Sequence, residues 1–551
     1  MSLRSITHSN AGRLLAGIAA FVMLLPMATA DSTNPLPELP RERVSLDVRS
    51  PGTVIRVGAG DNLQDALDDA RPGDIVELEP GAEFDGPFVL RDKAVEAGED
   101  GAEPWITVRT AAASGPLPLP GTRVMPGDGP AMARLVSGRN AVLRTEAGAS
   151  HYRFIGIEFR RVSSWLPGGA GSGFDSLVSL DAGSDSANDT PHHFIFERCL
   201  FIGDPEEGTR RGMILNSRHT AVVDSHFENF MAQGVDAQAI VGWAGPGPFR
   251  IENNRLEGSG ENVMFGGADP AIDGLVPSDI EIIGNHFTKP LAWRVGSDEF
   301  AGTRWTIKNL FELKNARRVL VKGNLFEHNW PESQNGFAVL FTVRNQEGDA
   351  PWSVVEDITF TDNVMRRVGS AINILGYDDI HTSRQTRRIL IRNNLFDEVG
   401  EAWGPGDLFQ LIDAADSVTI EDNTARHAGR ILIGEYRPSE RFRMEDNIVV
   451  HNRYGVVGSD RAPGTDALEW YFPDARFVGN MIVGGGGQSY PTDNEFPAAF
   501  PEDRLLPGAA PSEAVAESRY AAGANLRTLC LALSEVERQS VCAPVLGSGS
   551  P

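Results

Sequence analysis

Two basic side chains stand at matching places in two short phrases of this chain. The phrases are FELKN and FTVRN, and they carry Lys314 and Arg344. A lysine can remove a weakly acidic proton when neighbouring positive charge and burial lower its pKa. An arginine beside it can neutralise a carboxylate and stabilise the negative charge that develops. This pair suits β-elimination on a uronic acid, and we predict Lys314 and Arg344 as catalytic residues, with Glu312 beside them.

A column of polar residues is predicted to begin at Glu312. Superposing the two phrases places Glu312 opposite Thr342, and two further segments, INILG and FQLID, continue the alternation of apolar and polar residues with Asn373 and Gln410. Neighbouring strands lie about 4.8 Å apart, and alternate residues of one strand about 6.6 Å apart. We therefore predict that this column and the two basic residues share one patch, small enough for a sugar ring.

Polar and aromatic side chains near these phrases are candidates for binding a sugar. Carboxylates and amides hydrogen-bond to hydroxyl groups, and sugar faces stack on tryptophan rings. The candidate substrate-binding residues are Asn373, Gln410, Asp378, Asp379, Trp330 and Trp352. Large aromatic residues also seal loops onto a fold, which is the alternative role for the two tryptophans.

Oxygen-bearing side chains near the basic pair could bind calcium. Calcium takes several carboxylate and amide oxygens, and the candidate ligands are Glu312, Asn262 and Asp269. A structural salt bridge from Glu312 to Lys314 or Arg344 explains the same residues without chemistry. Calcium is therefore the expected cofactor only if a catalytic site is present.

A second set of carboxylates allows a different reaction. Asp378 and Asp379 are consecutive, Asp413 lies one repeat further on, and Glu435 follows. Two carboxyl groups about 6.5 to 9.5 Å apart can hydrolyse a glycosidic bond with inversion, although consecutive aspartates in a turn are also common loop caps. Glycoside hydrolysis is the alternative reaction. Noncatalytic glycan binding is a third class, because a fold does not imply a reaction.

A repeated phrase of ten residues identifies the elements that must position these side chains. In RVLVKGNLFE, Val319 and Val321 alternate with polar residues before Asn324. This period of two is typical of a half-buried strand, and such strands bury their apolar faces when repeats stack. The asparagine recurs at Asn254, Asn285, Asn324, Asn363, Asn394, Asn423, Asn447 and Asn480.

The spacing of these asparagines varies from 24 to 39 residues, which indicates one repeated rung with loops of different length. Inward asparagines at the corners can hydrogen-bond to one another in a ladder. The sequence therefore predicts an all-β fold consisting of a single parallel β-helix.

The chain divides where its composition changes. It begins with two arginines before an apolar run that ends in Ala-Thr-Ala, the pattern of a cleaved signal peptide. The predicted segments are a signal peptide at 1–30, a Pro-rich linker at 31–52, the β-helix at 53–490 and a partly helical tail at 491–551. We therefore expect a secreted or periplasmic protein with no membrane span after cleavage.

A short amphipathic helix precedes the repeats. Leu63, Ala66, Leu67 and Ala70 fall on one face, and a Pro-Gly-Asp turn stops the helix. A solenoid must cover the apolar end of its first coil. This helix, the turn and the following strand resemble the opening of pectin-lyase-like right-handed β-helix proteins. The resemblance implies a right-handed coil with an N-terminal capping helix and a C-terminal tail.

The pairing of Lys314 with Arg344 is similar to that of polysaccharide lyase family 6, the alginate lyases and chondroitinase B. In that family a lysine and an arginine act from neighbouring coils, and acidic and asparagine ligands hold calcium. The resemblance implies a polysaccharide lyase with an acidic polysaccharide as substrate.

Charge and cysteine content exclude two classes of protein. The chain of 551 residues has a formal net charge of -25, so nucleic acid is not an expected partner. Three cysteines are too few for a disulfide framework. Cys199 stands where later repeats have asparagine, which predicts a core position, and Cys530 and Cys542 could pair in the tail. We expect a monomer.

Overall fold

Three parallel β-sheets wind through the chain. The computed structural model describes residues 34–98, 101–112, 117–138, 141–162, 176–501 and 522–546. Within these ranges the sheets contain 14, 12 and 13 strands, and each strand pairs with the strands one coil before and one coil after it. The fold is a right-handed parallel β-helix, as the repeated phrase predicts.

The strands recur in the same order in successive coils. Sheet 1 consists of Val54–Val57, Ile75–Leu78, Ile106–Thr110, Ser150–Ile155, His192–Glu197, Arg218–Val223, Phe249–Glu252, Ser278–Ile283, Ala316–Lys322, Val355–Thr361, Arg387–Arg392, Asp416–Glu421, Arg443–Glu445 and Arg476–Val478. Sheet 2 consists of Phe88–Leu90, Leu143–Thr145, Ser176–Leu180, Arg211–Leu215, Gln238–Gly242, Glu261–Phe265, Phe311–Leu313, Phe337–Thr342, Ser370–Leu375, Phe409–Ile412, Leu432–Glu435 and Val456–Gly458. Sheet 3 consists of Glu83–Asp85, Ala133–Ser137, Ile157–Arg161, Leu200–Ile202, His226–Phe230, Arg255–Gly258, His286–Thr288, Leu325–Asn329, Val364–Val368, Leu395–Val399, Thr424–His427, Ile448–Val450 and Met481–Val483.

Helices are few and short in the described ranges. The α-helices are Leu63–Asp69, Thr465–Tyr471, Leu526–Ala532 and Glu535–Leu546. The 3₁₀ helices are Pro126–Ala131, Ala187–Asp189 and Leu291–Trp293. The helix Leu63–Asp69 begins at Asn62, whose side chain accepts hydrogen bonds from the next turn, and it buries Leu63 and Leu67 as predicted.

Inward side chains of the three sheets form a continuous apolar core. Phe154 stacks on Phe196 with ring centroids 5.0 Å apart, and Phe201 stacks on Phe159 at 5.1 Å and on Phe227 at 4.1 Å. All five rings are fully buried. Burying one phenylalanine contributes about 1.5–3 kcal/mol. Each coil therefore gains most of its stability from the coils on either side.

The asparagine column forms the predicted ladder. Asn254 Nδ2 donates to Asn285 Oδ1 at 3.0 Å, and Asn285 Nδ2 donates to Asn324 Oδ1 at 3.1 Å. The same bond continues coil by coil through Asn480 to Asn494. Each amide oxygen also accepts the backbone N–H of the preceding asparagine, at 2.9 to 3.0 Å. The ladder therefore satisfies polar groups that are buried at every corner.

Smaller polar residues continue this ladder into earlier coils. Ser225 N donates to Asn254 Oδ1 at 2.9 Å, and Cys199 N donates to Ser225 Oγ at 3.0 Å. Cys199 is fully buried and unpaired, and burial raises the pKa of its thiol to about 12. Cys199 is therefore a core residue, as predicted, and its thiol stays protonated at neutral pH.

Two C-terminal helices pack on the outer face of sheet 3. They contact one apolar side chain from each of three successive strands: Leu325, Val364 and Leu395. A disulfide between Cys530 and Cys542 joins the two helices. Glu537 of the second helix accepts a hydrogen bond at 2.7 Å from Arg123 Nη1 in an almost wholly buried ion pair. The tail is therefore fixed to the side of the β-helix by both apolar and charged contacts.

The described part of the segment predicted as a linker, 31–52, lies across the outer face of sheet 1. Glu38 N donates to Asp357 Oδ1 at 3.0 Å, and Arg41 N donates to Asp279 Oδ1 at 2.8 Å. These two aspartates belong to strands two coils apart in the sheet, with the strand Ala316–Lys322 between them. We call residues 35–50 the strap, because they bind the coils together along the sheet.

Some predicted segments fall outside the described ranges. Residues 1–30, interpreted as a signal peptide, lie outside them, as do 502–521 and 547–551 of the tail. In the part of the chain that the structure describes, no helix combines the length and the apolar surface that a membrane span requires.

Candidate active site

A groove of about 1130 Å³ opens on the outer face of sheet 2. Five successive strands, from Phe311–Leu313 to Leu432–Glu435, form its floor, and the loops beside them form its walls. Five strands span about 19 Å at the usual spacing. Seven of the residues that the sequence predicts for the site line this groove: Glu312, Lys314, Arg344, Asn373, Gln410, Asp378 and Asp379.

Glu312 lies on the groove floor with its carboxylate held from two sides. Asn309 Nδ2 donates to Glu312 Oε2 at 3.0 Å, and Thr342 Oγ1 donates to Glu312 Oε1 at 3.2 Å. The side chain of Glu312 is 4% exposed. Lys314 Nζ lies 3.8 Å from Glu312 Oε1, which is within ion-pair range but beyond hydrogen-bond distance. Glu312 is therefore positioned firmly, while the lysine ammonium is held loosely.

Arg344 is joined to the Lys314 segment and to the opposite wall. Its backbone N–H donates to Lys314 O at 2.8 Å. Its guanidinium Nη1 donates to Asp378 Oδ1 at 2.8 Å and also contacts Asp379 Oδ1. The two basic residues therefore lie on neighbouring coils of one groove, as the matching phrases predict.

The carboxylates beside Arg344 set the charge of this wall. Burial alone would lower the pKa of Arg344, but hydrogen bonds to Asp379 and Asp378 outweigh burial and raise it. Burial would raise the pKa of Asp378, but backbone N–H groups of Ile380 and Asn345 and the guanidinium hold this pKa below its ordinary value. Asp378 is therefore ionised at neutral pH and cannot supply a proton.

Asn373 and Gln410 form a polar row on the adjoining strands. Asn373 Nδ2 donates to Gln410 Oε1 at 2.6 Å, and Gln410 Nε2 donates to Glu435 Oε2 at 3.2 Å. Asn373 and Gln410 are directly opposite each other in the sheet, as predicted. This row presents amides and a carboxylate toward the groove, which suits hydrogen bonding to sugar hydroxyls.

The register of the first two strands differs from the sequence prediction. Glu312 lies opposite Leu340 rather than Thr342, and Thr342 lies opposite Leu375. The predicted superposition was therefore wrong by two residues, both at the Glu312 strand and at the Asn373 strand. A shift of two residues keeps every side chain on its own face of the sheet. The alternation of apolar and polar residues in the sequence therefore cannot reveal such a shift. The column that the sequence predicts is thus broken by Leu340.

The two predicted tryptophans are engaged elsewhere. Trp330 is buried in an apolar cluster with Trp293 and Trp305. Trp352 donates its indole N–H to Leu275 O at 3.0 Å. Neither is among the described residues that line the groove. The structure therefore places both in the sealing role that large aromatic residues commonly have.

The three candidate calcium ligands do not converge. Asn262 is fully buried, and its Oδ1 accepts a hydrogen bond from Lys289 Nζ at 3.2 Å. Asp269 caps a loop, because its carboxylate accepts three backbone N–H bonds from Gln346, Glu347 and Asp349. Glu312 accepts hydrogen bonds from other residues. These residues do not fit a calcium ion together, since the ammonium of Lys289 already faces the amide oxygen that a cation would need.

Lys289 was not predicted from the sequence, and it lies close to the groove floor. Its ammonium is fully buried within a shell of five oxygens: Gly258 O, Ser259 O, Gly260 O, Asn262 Oδ1 and Asn309 O. Burial lowers the pKa of Lys289, and the charge of Glu261 opposes that change. Asn309 connects this lysine to Glu312, because it accepts from one and donates to the other.

Glu261 is a second buried group behind the groove. Gln238 Nε2 donates to Glu261 Oε2 at 2.7 Å, and Lys308 Nζ lies 3.6 Å from Glu261 Oε1. Burial, and then the charge of Glu312, raise the pKa of Glu261. No motif in the sequence marks these groups, because their partners come from different coils.

Exposed apolar side chains rim the groove. Tyr436 is 75% exposed and Ile380 is 74% exposed, and both line the walls. Arg437 donates to both carboxylate oxygens of Asp413 at 2.5 and 2.9 Å, which fixes the wall next to Tyr436. Tyr436 was not predicted, although it directly follows Glu435 in the sequence. An exposed aromatic ring beside a polar groove offers a stacking surface for sugar.

Comparison with known proteins gives similarity in structure only. No family model and no curated protein matches the chain. A PL6 family alginate lyase, AlyGC, superposes with a TM-score of 0.49 and 14% identity over 90% of this chain and 59% of that one. A mannuronic acid specific polysaccharide family 6 lyase from human gut microbiota gives 0.44 and 14%, over 90% and 96%. The GH87 α-1,3-glucanase of Streptomyces thermodiastaticus strain HF3-3 gives 0.46 and 13%, over 82% and 72%.

This chain thus spans about three-fifths of the length of AlyGC, and all three identities are low enough to reflect the fold alone. The three stacked parallel sheets confirm the predicted resemblance to right-handed parallel β-helix proteins at the level of architecture.

Proposed function

We propose that this protein is an exported polysaccharide lyase that cleaves a uronate-containing glycan by β-elimination. The observation that carries the proposal is the placement of Lys314 and Arg344 on neighbouring coils of one open groove. This chemistry requires one group to neutralise a carboxylate and another to remove a proton. These two residues can supply both groups.

The groove has the dimensions of a site for a chain of sugars. Its volume of about 1130 Å³ exceeds the range of about 300–1,000 Å³ that is usual for small-molecule pockets. It is open along the sheet, and the row of Asn373, Gln410 and Glu435 continues away from the basic pair. We therefore assign several sugar-binding positions to this row and to the exposed ring of Tyr436.

Arg344, Lys314 and Glu312 each have one role in the proposed reaction. Arg344 binds the C6 carboxylate of the uronic acid and stabilises the negative charge that develops there. Lys314, in its neutral form, takes the proton from C5, and the electron pair forms the C4–C5 double bond as the C4–O bond breaks. The ammonium so formed returns a proton to the leaving oxygen. Glu312 lies within ion-pair range of Lys314, and its carboxylate stabilises the ammonium that forms.

The proposed reaction does not use calcium, because the residues predicted to bind it do not fit the ion together. The donors expected from the sequence do not converge, and Lys289 supplies a buried positive charge beside Asn262. We therefore derive no step through calcium. All roles in the proposed elimination are performed by side chains of the groove.

Glycoside hydrolysis is the second candidate, because Asp378, Asp379, Asp413 and Glu435 line the same groove. An inverting hydrolase needs one carboxyl group that stays protonated, which requires a raised pKa. The pKa of Asp378 is lowered, and Asp413 is paired with Arg437 through two hydrogen bonds. The lowered pKa makes Asp378 unsuited to be the protonated acid of a hydrolase, and Asp413 is held by Arg437, so the lyase remains the first proposal.

A glycan screen tests the proposal. The protein is incubated with alginate, pectate and glycosaminoglycans, each with and without a chelator, while ultraviolet absorbance and reducing ends are followed together. A lyase produces both an unsaturated uronide, which absorbs, and new reducing ends. Reducing ends without absorbance would indicate a hydrolase. Glycan binding without either signal would indicate a noncatalytic protein and overturn the proposed reaction.

A further inference from the structure

Three histidines meet on the outer face of sheet 1, on a different sheet from the groove. His151 lies on the strand Ser150–Ile155, and His192 and His193 lie on its neighbour His192–Glu197. One ring nitrogen of each histidine lies within 4.8 Å of one nitrogen of both others. His192 Nδ1 and His193 Nδ1 are 2.6 Å apart. The parallel pairing of two coils therefore brings three imidazoles to one point.

We propose that these three imidazoles bind one divalent transition-metal ion of the zinc class. Zinc lies about 2.0–2.1 Å from imidazole nitrogens, so the nitrogens of a tetrahedral site are about 3.3 Å apart. The observed separations, 2.6 Å for one pair and at most 4.8 Å for the others, bracket that value. Imidazole ligands select zinc, copper, nickel or cobalt over calcium and magnesium, which prefer oxygen.

A carboxylate supports one of the ligands from behind. His151 Nε2 lies 2.8 Å from Glu103 Oε2. A histidine that binds a metal commonly donates its other N–H to a carboxylate, which fixes the tautomer and the ring orientation. This contact assigns the proton to Nε2, and Nδ1 of His151, which lies 3.0 Å from Ser150 Oγ, would exchange that hydroxyl group for the ion. Glu103 is half exposed, so it is a support on the surface rather than a buried charge.

Neighbouring rings hold the histidines in place. His193 stacks between His151 and His219, with centroids 4.5 Å apart on each side, and Trp105 meets His151 edge-on at 5.3 Å. His192 stands nearly perpendicular to His193. Because the lone pair of a ring nitrogen lies in the ring plane, His151 or His193 must rotate out of their stack for both to bind one ion.

The strap lies beside His193 and His219 and leaves space next to them. A cavity of about 450 Å³ is lined by strap residues together with Glu103, Trp105, His193 and His219. Of the three proposed ligands, His193 lines this cavity, so the cavity can supply a water molecule for the fourth ligand position. A bound ion would therefore join two coils directly beneath the strap, and we assign it a structural role, independent of the groove.

Metal titration of a chain without a histidine tag, stripped with a chelator, tests this site. We expect one equivalent of Co²⁺ to give the visible absorption of a tetrahedral complex, and Zn²⁺ to displace it and raise the thermal midpoint. His193→Ala and His192→Ala should each weaken Zn²⁺ binding at least about 100-fold, and Glu103→Gln about 10- to 100-fold.

The matched control is His381→Ala, which removes an exposed histidine outside the cluster and should leave Zn²⁺ affinity unchanged. Because Glu103 lies partly in solvent, Glu103→Gln keeps the test decisive if a histidine variant does not fold. Absence of stoichiometric binding by the native chain would overturn the proposal. Unchanged Zn²⁺ affinity in Glu103→Gln and His192→Ala would overturn it equally.

Discussion

Lys314 and Arg344 have different environments, and the proposed reaction depends on that difference. Arg344 donates hydrogen bonds to two aspartates, whereas Lys314 Nζ makes an ion pair with Glu312 Oε1 at 3.8 Å. A lysine can act as a base when it is deprotonated, whereas an arginine keeps its charge. The division of roles, with lysine as base and arginine as electrostatic partner, follows from residue chemistry and from these contacts together.

Replacing Lys314 with alanine should remove the elimination activity. A general base contributes a factor of about 10² to 10⁴ to the rate, so Lys314→Ala should lower kcat by that factor. The ultraviolet signal of the unsaturated product measures it. Lys322→Ala serves as the control, because Lys322 is a half-exposed lysine on sheet 1. Full activity in Lys314→Ala would exclude this residue as the base.

Neutralising Asp379 should improve substrate binding. Asp379 is 62% exposed and competes with the substrate carboxylate for Arg344. An exposed ion pair is worth up to ~1 kcal/mol, so Asp379→Asn should lower KM by up to about five-fold with little change in kcat. Asp460→Asn makes the same charge change at an exposed site away from the groove and should have no effect. A higher KM in Asp379→Asn would show instead that this aspartate binds substrate.

The sequence identified most groove residues but not their exact neighbours. Asn373 and Gln410 were placed correctly because their strands align without a shift, whereas Glu312 and Thr342 were misaligned by two residues. Alternation determines which face a side chain occupies, and only contacts between coils determine the register. Lys289 escaped prediction for a related reason: its five oxygen partners lie 20 to 31 residues earlier or later in the chain.

At the scale of elements, the asparagine ladder determines where each coil turns. Each of the eight repeated asparagines, from Asn254 to Asn480, stands at the corner between a strand of sheet 1 and a strand of sheet 3. The sequence predicted this element well, because the ladder needs one residue type at one position of every repeat. Loop lengths between repeats carry no such constraint, and the groove walls are built from those loops.

Removing one asparagine from the middle of the ladder should destabilise the fold. The Asn363 side chain accepts two hydrogen bonds from Asn324 and donates to Val321 O and Asn394 Oδ1. Each buried polar group left unpaired costs about 1–3 kcal/mol, so Asn363→Ala should lower the free energy of unfolding by about 3 kcal/mol or more. Chemical denaturation measures this loss.

The control for the ladder is Asn188→Ala, which changes an exposed asparagine and should alter stability by no more than about 0.5 kcal/mol. A loss as small as this in Asn363→Ala would mean that water satisfies the broken bonds, and the ladder would then have no energetic role.

The disulfide of the tail should control its attachment to sheet 3. Cys530 and Cys542 close a loop with a sequence separation of 12, and a loop of that size contributes up to about 3 kcal/mol. Double replacement by serine should therefore speed protease cleavage within 522–546 while the β-helix remains intact. Under denaturing conditions we expect one reactive thiol, Cys199, before reduction and three after it. Three thiols before reduction would show that the pair does not form.

At the scale of the whole molecule, opposite charges are paired locally although the net charge is strongly negative. The chain carries a net charge of -25, yet the outer face of sheet 1 holds arginines paired with carboxylates on neighbouring strands. Self-repulsion from a large net charge opposes compaction. Local pairing offsets that repulsion where coils meet, and the strap adds backbone N–H donors to the same carboxylates.

This arrangement predicts that acid releases the strap. Burial would raise the pKa of Asp357 and of Asp279, but bonds from Arg388 and Arg318 and from strap N–H groups lower both. A carboxyl group whose folded pKa is depressed stabilises the fold fully above its unfolded pKa of about 3.9 and loses that effect as pH falls through the folded value. The strap should therefore stay bound from pH 5 upward, within the range of ~5–8 where stability is usually greatest, and detach only as pH falls below the unfolded pKa of about 3.9 toward the lower folded values.

Hydrogen exchange of residues 35–50, measured across this pH range, follows the release directly. Asp357→Asn keeps an oxygen acceptor for Glu38 N but removes the charge, so exchange in the strap should be faster at neutral pH and less dependent on acid. Asp460→Asn, which makes the same change of charge outside the strap contacts, should reproduce the native profile. Release of the strap on raising the pH, rather than on lowering it, would require that a different group holds it, because depressed carboxyl pKa values can only stabilise on the alkaline side.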